Sequence, residues 1–148
     1  MYRLILLTVI LGCDSNSDLQ YNEASSEENN SDNSPGILDV SAEQLEFEVE
    51  NFETTINETL TVSSIGENPL TIDRIDITNS GDGLFYMEEQ LDIVLDVDTS
   101  LDVLVIASGL QEELTEPRWG ELRIRSNDQD NSDLRIPLCA YPTGDTCQ

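Results

Sequence analysis

Between residues 45 and 50 the chain reads Leu-Glu-Phe-Glu-Val-Glu, apolar and acidic in strict turn. A period of two places every second side chain on the same face of an extended strand, one face buried and one in water. The pattern recurs: Leu60 and Val62 alternate with Thr59, Thr61 and Ser63, and Leu122 and Ile124 alternate with Arg123 and Arg125. Leu134, Ile136 and Leu138 form the last such run. The segment Leu70–Thr78 holds two phases, Leu70 and Ile72 in one and Ile75 and Ile77 in the other, which predicts a bulge or bend near Asp73-Arg74. Leu84–Met87 and Leu91–Leu95 add short apolar stretches, and Leu101–Ala107, apolar on both faces, predicts a central strand. Turn signals separate these runs at Gly66-Glu67-Asn68-Pro69, Gly81-Asp82-Gly83, Asp96–Ser100 and Asn127–Ser132. Residues 108–118 read as a long polar loop, and no segment carries a convincing helical period.

Residues 37–148 therefore predict an all-β domain, an immunoglobulin-like sandwich of about seven to nine short strands. Charge limits what such a domain does. The chain has 31 Asp plus Glu against 6 basic residues, all Arg, and no His, for a formal net charge of −25. Nucleic-acid binding needs a basic footprint that releases counterions, so no nucleic-acid partner is expected. Without His, imidazole proton transfer and the commonest metal ligand are absent. No Ser or carboxylate pair stands in a recognisable catalytic motif, so the reading is that of a non-enzyme with no cofactor.

The first residues are an address. Arg3 precedes the apolar run Leu4–Leu11, broken only by Thr8. That run is too short for a membrane span, which needs about 20 residues, and has the order of a secretory signal. It ends Ile10-Leu11-Gly12-Cys13, which resembles the lipobox of bacterial lipoproteins. The resemblance implies a signal peptide over residues 1–12, cleavage before Cys13, acylation of Cys13 and a place in the bacterial cell envelope. Two or more acyl chains, each buried CH₂ contributing about 0.8 kcal/mol, anchor a protein stably. Residues 14–36 are dominated by Ser, Asn, Asp and Glu, with Leu19, Tyr21 and Ala24 the only apolar side chains before Pro35-Gly36. So little apolar surface cannot offset chain entropy, and 13–36 is expected to be a lipidated, disordered linker.

Within the folded part, Val40-Ser41-Ala42-Glu43-Gln44-Leu45-Glu46-Phe47 opens a set of motifs. Ser64-Ile65-Gly66-Glu67-Asn68-Pro69-Leu70-Thr71-Ile72, then Phe85, then Gly120-Glu121-Leu122-Arg123-Ile124-Arg125-Ser126-Asn127-Asp128 and Pro137-Leu138-Cys139-Ala140 continue it. This order resembles the Ig-like domains of the ASH, Hydin and major-sperm-protein-like group, of the kind found in "choice-of-anchor D" proteins. In that group the second motif begins with Asn, where this chain has Ser64, and is a hairpin. The chain departs from the group at Val97-Asp98, where a Pro-Gly turn is usual, and around Ile106-Ala107-Ser108, where a Phe-x-Pro is missing. The resemblance implies a displayed, non-catalytic interaction domain meeting another envelope or surface protein.

The remaining candidates are few. Cys139 and Cys147 can form a disulfide outside the cytosol, remain free, or pair with another chain. Asp128, Asp130 and Asp133 supply oxygens at alternating spacing, which suits Ca²⁺, but Asn and Asp are equally ordinary turn residues and no EF-hand Gly or distal Glu accompanies them. Trp119 and Tyr86 either cover the rim of the core or contact a partner. With the 108–118 loop, Trp119 also offers an alternative reading as a small-ligand or glycan-binding lipoprotein.

Overall fold

The computed structural model describes residues 35–50, 55–108 and 113–147. The expected signal peptide, the lipidation site Cys13, the linker through Ser34 and part of the 108–118 loop lie outside these residues.

Among the described residues there are nine strands: β1 (Leu38–Val40), β2 (Leu45–Val49), β3 (Ile56–Ser64), β4 (Leu70–Asn79), β5 (Phe85–Tyr86), β6 (Gln90–Leu95), β7 (Ser100–Ala107), β8 (Arg118–Ser126) and β9 (Asp133–Pro142). They form two sheets, ordered β1-β3-β7-β5 and β2-β9-β8-β4-β6. All pairs are antiparallel except β2 with β9, which is parallel. The alternation read from the sequence sets the faces: in β2, Leu45, Phe47 and Val49 are buried while Glu46 and Glu48 are exposed. Leu60, Val62, Leu70, Ile72, Ile75, Val103, Val105, Leu122, Ile124, Ile136 and Leu138 complete the layer between the sheets. Burying a side chain of this size fully contributes about 1.5–3 kcal/mol.

Three local features decide how the sheets meet. The extra residue foreseen near Asp73 is present: the β4–β8 register slips between Ile72 and Arg74, which switches the buried phase from Leu70 and Ile72 to Ile75. The turn Ile65–Pro69 joins β3 to β4, which lie in different sheets. It is a crossing between layers, not the hairpin that the motif resemblance implies, because β4 finds its partners in β6 and β8. The opening motif, Val40 to Phe47, is divided between two strands, β1 pairing to β3 in one sheet and β2 to β9 in the other.

Candidate functional site

The motif Ser126-Asn127-Asp128 ends β8 and begins the turn into β9. Asn127 donates its N–H to the Thr71 carbonyl at 2.9 Å, and its Oδ1 accepts the Thr71 N–H at 2.9 Å. That fastens the turn to β4. Asp128, only 4% exposed, accepts the Leu38 N–H at 2.7 Å on Oδ2. On Oδ1 it accepts the N–H groups of Asp130 at 2.8 Å and Asn131 at 3.1 Å. Burial pushes the Asp128 carboxyl up, but the N–H groups of Leu38, Asn131 and Asp130 more than offset this and hold it below its ordinary value of 3.8. One carboxylate thus ties β1 of the first sheet to a turn of the second.

Two of the three carboxylates considered for Ca²⁺ have protein partners. Asp128 is committed to backbone donors, and Asp133 to the guanidinium of Arg123, whose Nε and Nη2 donate to its two oxygens at 2.5 and 2.7 Å. That contact holds the Asp133 carboxyl below its ordinary value. Among the described residues no three acidic or sulfur side chains are grouped to hold a metal ion.

Phe85 organises the opposite part of the domain. Its ring lies 5.3 Å from that of Phe47 at an interplanar angle of 53°. The ring also occupies the space above Gly120, where an added Cβ would collide with Phe85 Cδ2 and meet the Asn79 carbonyl at 2.8 Å. Gly81, at φ +57°, passes beneath the same ring. The motif Phe and the motif Gly are therefore one packing unit. By seating Phe85 inward, it turns the next residue, Tyr86, outward, where it is 47% exposed.

Tyr86 borders a depression of about 490 Å³ lined by Met87, Glu88, Gln90, Asp102, Val103, Leu104 and Ile106. The Ser108 hydroxyl donates to the Tyr86 hydroxyl at 3.4 Å. Leu104 is 49% exposed here. The both-faced apolar run of β7 is thus central by order, between β3 and β5, but its outer face lies open. Sequence reasoning missed Leu104 and Met87; the only signal was the apolar residues on the second face of Leu101–Ala107.

Trp119 faces outward on β8 at 41% exposure, directly opposite Cys139 of β9. Cys139 and Cys147 are joined, Cα atoms 6.1 Å apart, so the C-terminal segment is fastened over Cys139, which is buried. Trp119 lines a separate, mainly polar depression of about 350 Å³ with Asn79, Gly81, Asp82, Glu116 and Arg118. Tyr86 and Trp119 are not brought to one site.

Charge is divided between the sheets. Arg74, Arg118, Arg123, Arg125 and Arg135 all lie on β4, β8 and β9 of the five-stranded sheet. There Arg123 meets Asp133, Arg118 meets Asp82, Arg135 Nη1 lies 2.8 Å from Glu121 and Arg74 Nε lies 3.3 Å from Glu89. The strands of the four-stranded sheet carry Asp39, Glu58 and Asp102 and no basic residue.

No protein-family profile matches the chain, and no curated protein matches it. Solved structures do. A protein of unknown function from Porphyromonas gingivalis W83 superposes with a TM-score of 0.57 at 14% identity, over 72% of this chain and 47% of that one. The ASH/PapD-like domain 7 of human CEP192 gives 0.53 at 8% identity, over 74% of this chain and 87% of the domain. The E. coli chaperone DraB gives 0.54 at 15% identity, over 76% of this chain and 58% of DraB. This chain thus spans about half the length of the Porphyromonas protein and somewhat more of DraB. At these identities the likeness is one of architecture: the described residues form a nine-stranded, Ig-like β-sandwich of the kind seen in ASH and PapD-like domains.

Proposed function

We propose that this chain is a non-catalytic lipoprotein of the bacterial cell envelope, held to a membrane through acylated Cys13, and that its Ig-like domain binds another envelope or surface protein. The observation that carries the binding half is the half-exposed pair Tyr86 and Leu104 beside an apolar-floored depression, on a chain of net charge −25. Apolar and aromatic side chains held open on a charged surface favour contact with another protein. The lipobox-like Leu11-Gly12-Cys13 supports the anchor, the joined Cys139 and Cys147 suit an oxidising compartment, and the chaperone name of DraB suits a protein partner.

A photoreactive residue placed in turn at Tyr86, Trp119 and Glu48 in the producing cell tests the binding. A discrete, mass-identified protein adduct at Tyr86, absent at Glu48, is the expected result; no adduct at any position overturns the reading. Labelled palmitate tests the anchor: incorporation should vanish in Cys13→Ala, and unchanged labelling rejects it. A second reading, binding of a small ligand or glycan, is favoured only by the half-exposed Trp119 beside its polar depression. It requires that sugars shift Trp119 fluorescence and that an adduct form at Trp119 instead of Tyr86.

A further inference from the structure

Among the described residues the two open sheets have four edges, and three of them are blunted. β1 is three residues long. β2 exposes Glu46 and Glu48. β6 is bent where Asp92 takes φ 52°. Short, charged or kinked edges are poor templates for another strand. The fourth edge belongs to β7. There β5 covers only Ile106 and Ala107, so Ser100–Val105 have no strand partner on that side among the described residues.

The direction of the free groups follows from the hydrogen bonds at the two ends of β7. Ser108 donates its N–H to the Leu84 carbonyl, on the β5 side, while the Thr99 carbonyl accepts the Ser64 N–H, on the β3 side. Antiparallel pairing alternates residue by residue. The even-numbered residues Asp102 and Leu104 therefore present N–H and C=O to the open edge. Beside that edge lies the 490 Å³ depression, where half-buried Met87 would meet the inward side chains of an added strand and Val103, almost fully buried, forms part of the lining. Outward side chains would run past Asp102 and Leu104, and Glu88 stands at the border.

We propose that β7 takes up an extended segment of a partner protein as an additional strand, and that this segment alternates apolar residues with Lys or Arg. The proposal rests on the protein-binding reading above and specifies its chemistry. Main-chain pairing would supply affinity and the alternate side chains specificity. Charge chooses the occupant. The strands of this sheet bear acids and no base, so a basic segment is complementary. A second copy would oppose Asp102 and Glu88 with its own acids, and residues 14–34 of this chain contain acids and no base.

The test uses the whole chain in detergent micelles and follows amide hydrogen exchange at Asp102 and Leu104. The probes are short peptides alternating Val with Lys, Val with Glu, and Val with Lys bearing N-methylated amides. Several-fold slower exchange at both amides with the plain Val/Lys peptide alone is expected. Leu104→Pro, which removes one edge donor, should abolish it. Because Pro there can cost the fold, Asp102→Lys on the outward face serves independently and should invert the preference toward Val/Glu. Equal slowing by Val/Glu, protection without any peptide, or slowing that grows with protein concentration alone overturns the proposal. If the peptides fail while a photoreactive residue still traps a protein, strand addition falls and the broader reading stands; if nothing is trapped at any position, both fall.

Discussion

At the scale of single residues, the polar groups of the core make opposite demands. The Asp128 carboxylate serves three N–H donors from two segments. In Asp128→Asn an amide NH₂ must face either Leu38 or the Asp130–Asn131 pair. A stability loss on the order of 1–3 kcal/mol is expected in denaturant titration. The folded value of this carboxyl is depressed, so its contribution is present above the ordinary 3.8 and is lost as pH falls through the folded value. The wild-type melting temperature should fall across that acid range, and the Asn variant should lack this part of the fall. Ser64 is the contrary case. It is fully buried, and its Oγ has no partner among the described residues, at the position where the resembled motif has Asn. Ser64→Ala should leave stability unchanged or raise it, because it removes an unsatisfied hydroxyl without opening space; a clear drop in melting temperature would show that the hydroxyl is bonded. Gly120→Ala drives a methyl group into Phe85 and should cost about 1–3 kcal/mol, as overpacking does. Adding Phe85→Leu should make the pair less harmful than the sum of the two.

At the scale of elements, period-two alternation revealed which side chains point inward, and even the register slip at Asp73, because both are local properties of the chain. It could not reveal which sheet a strand joins. Ile65–Pro69 looks the same as a turn whether it makes a hairpin or crosses the core, and the division of the opening motif into β1 and β2 leaves no mark in the alternation. Alternation also reports a side, not whether anything covers it, so β7 read as enclosed while Leu104 stands open. The strongest motif, ending in Ser126-Asn127-Asp128, was legible as a turn. Its role as a fastening became visible only when Thr71 and Leu38 arrived from far along the chain. The C-terminal segment depends on the Cys139–Cys147 link across a separation of eight residues. Loop-closure entropy for such a span gives about 2–3 kcal/mol. Cys147→Ser should lower stability by up to that amount and make the segment after Pro142 accessible to protease, with Trp119 fluorescence reporting its release.

At the scale of the whole molecule, the acids form an uneven coat. The five-stranded sheet answers some of its carboxylates with Arg, whereas the strands of the four-stranded sheet have no such reply. Exposed pairs such as Arg135 with Glu121 contribute at most about 1 kcal/mol each. The larger effect is general self-repulsion at a net charge of −25. Added NaCl shortens the Debye length to about 10 Å at 0.1 M, so the melting temperature should rise with salt from a low-salt baseline. Residues 14–34 add little apolar surface, and deleting them should leave the salt-matched melting temperature nearly unchanged.

The division between β1 and β2 ties the start of the folded part to both sheets in turn. A pull arriving along the chain at Pro35 enters β1, which three cross-strand positions bind to β3 and the Leu38–Asp128 bond binds to the other layer. Beyond it the load reaches β2, whose parallel ladder to β9 lies along the strand axis. Tension from that end thus meets pairing in one layer at β1 and in the other at β2, one after the other along the chain.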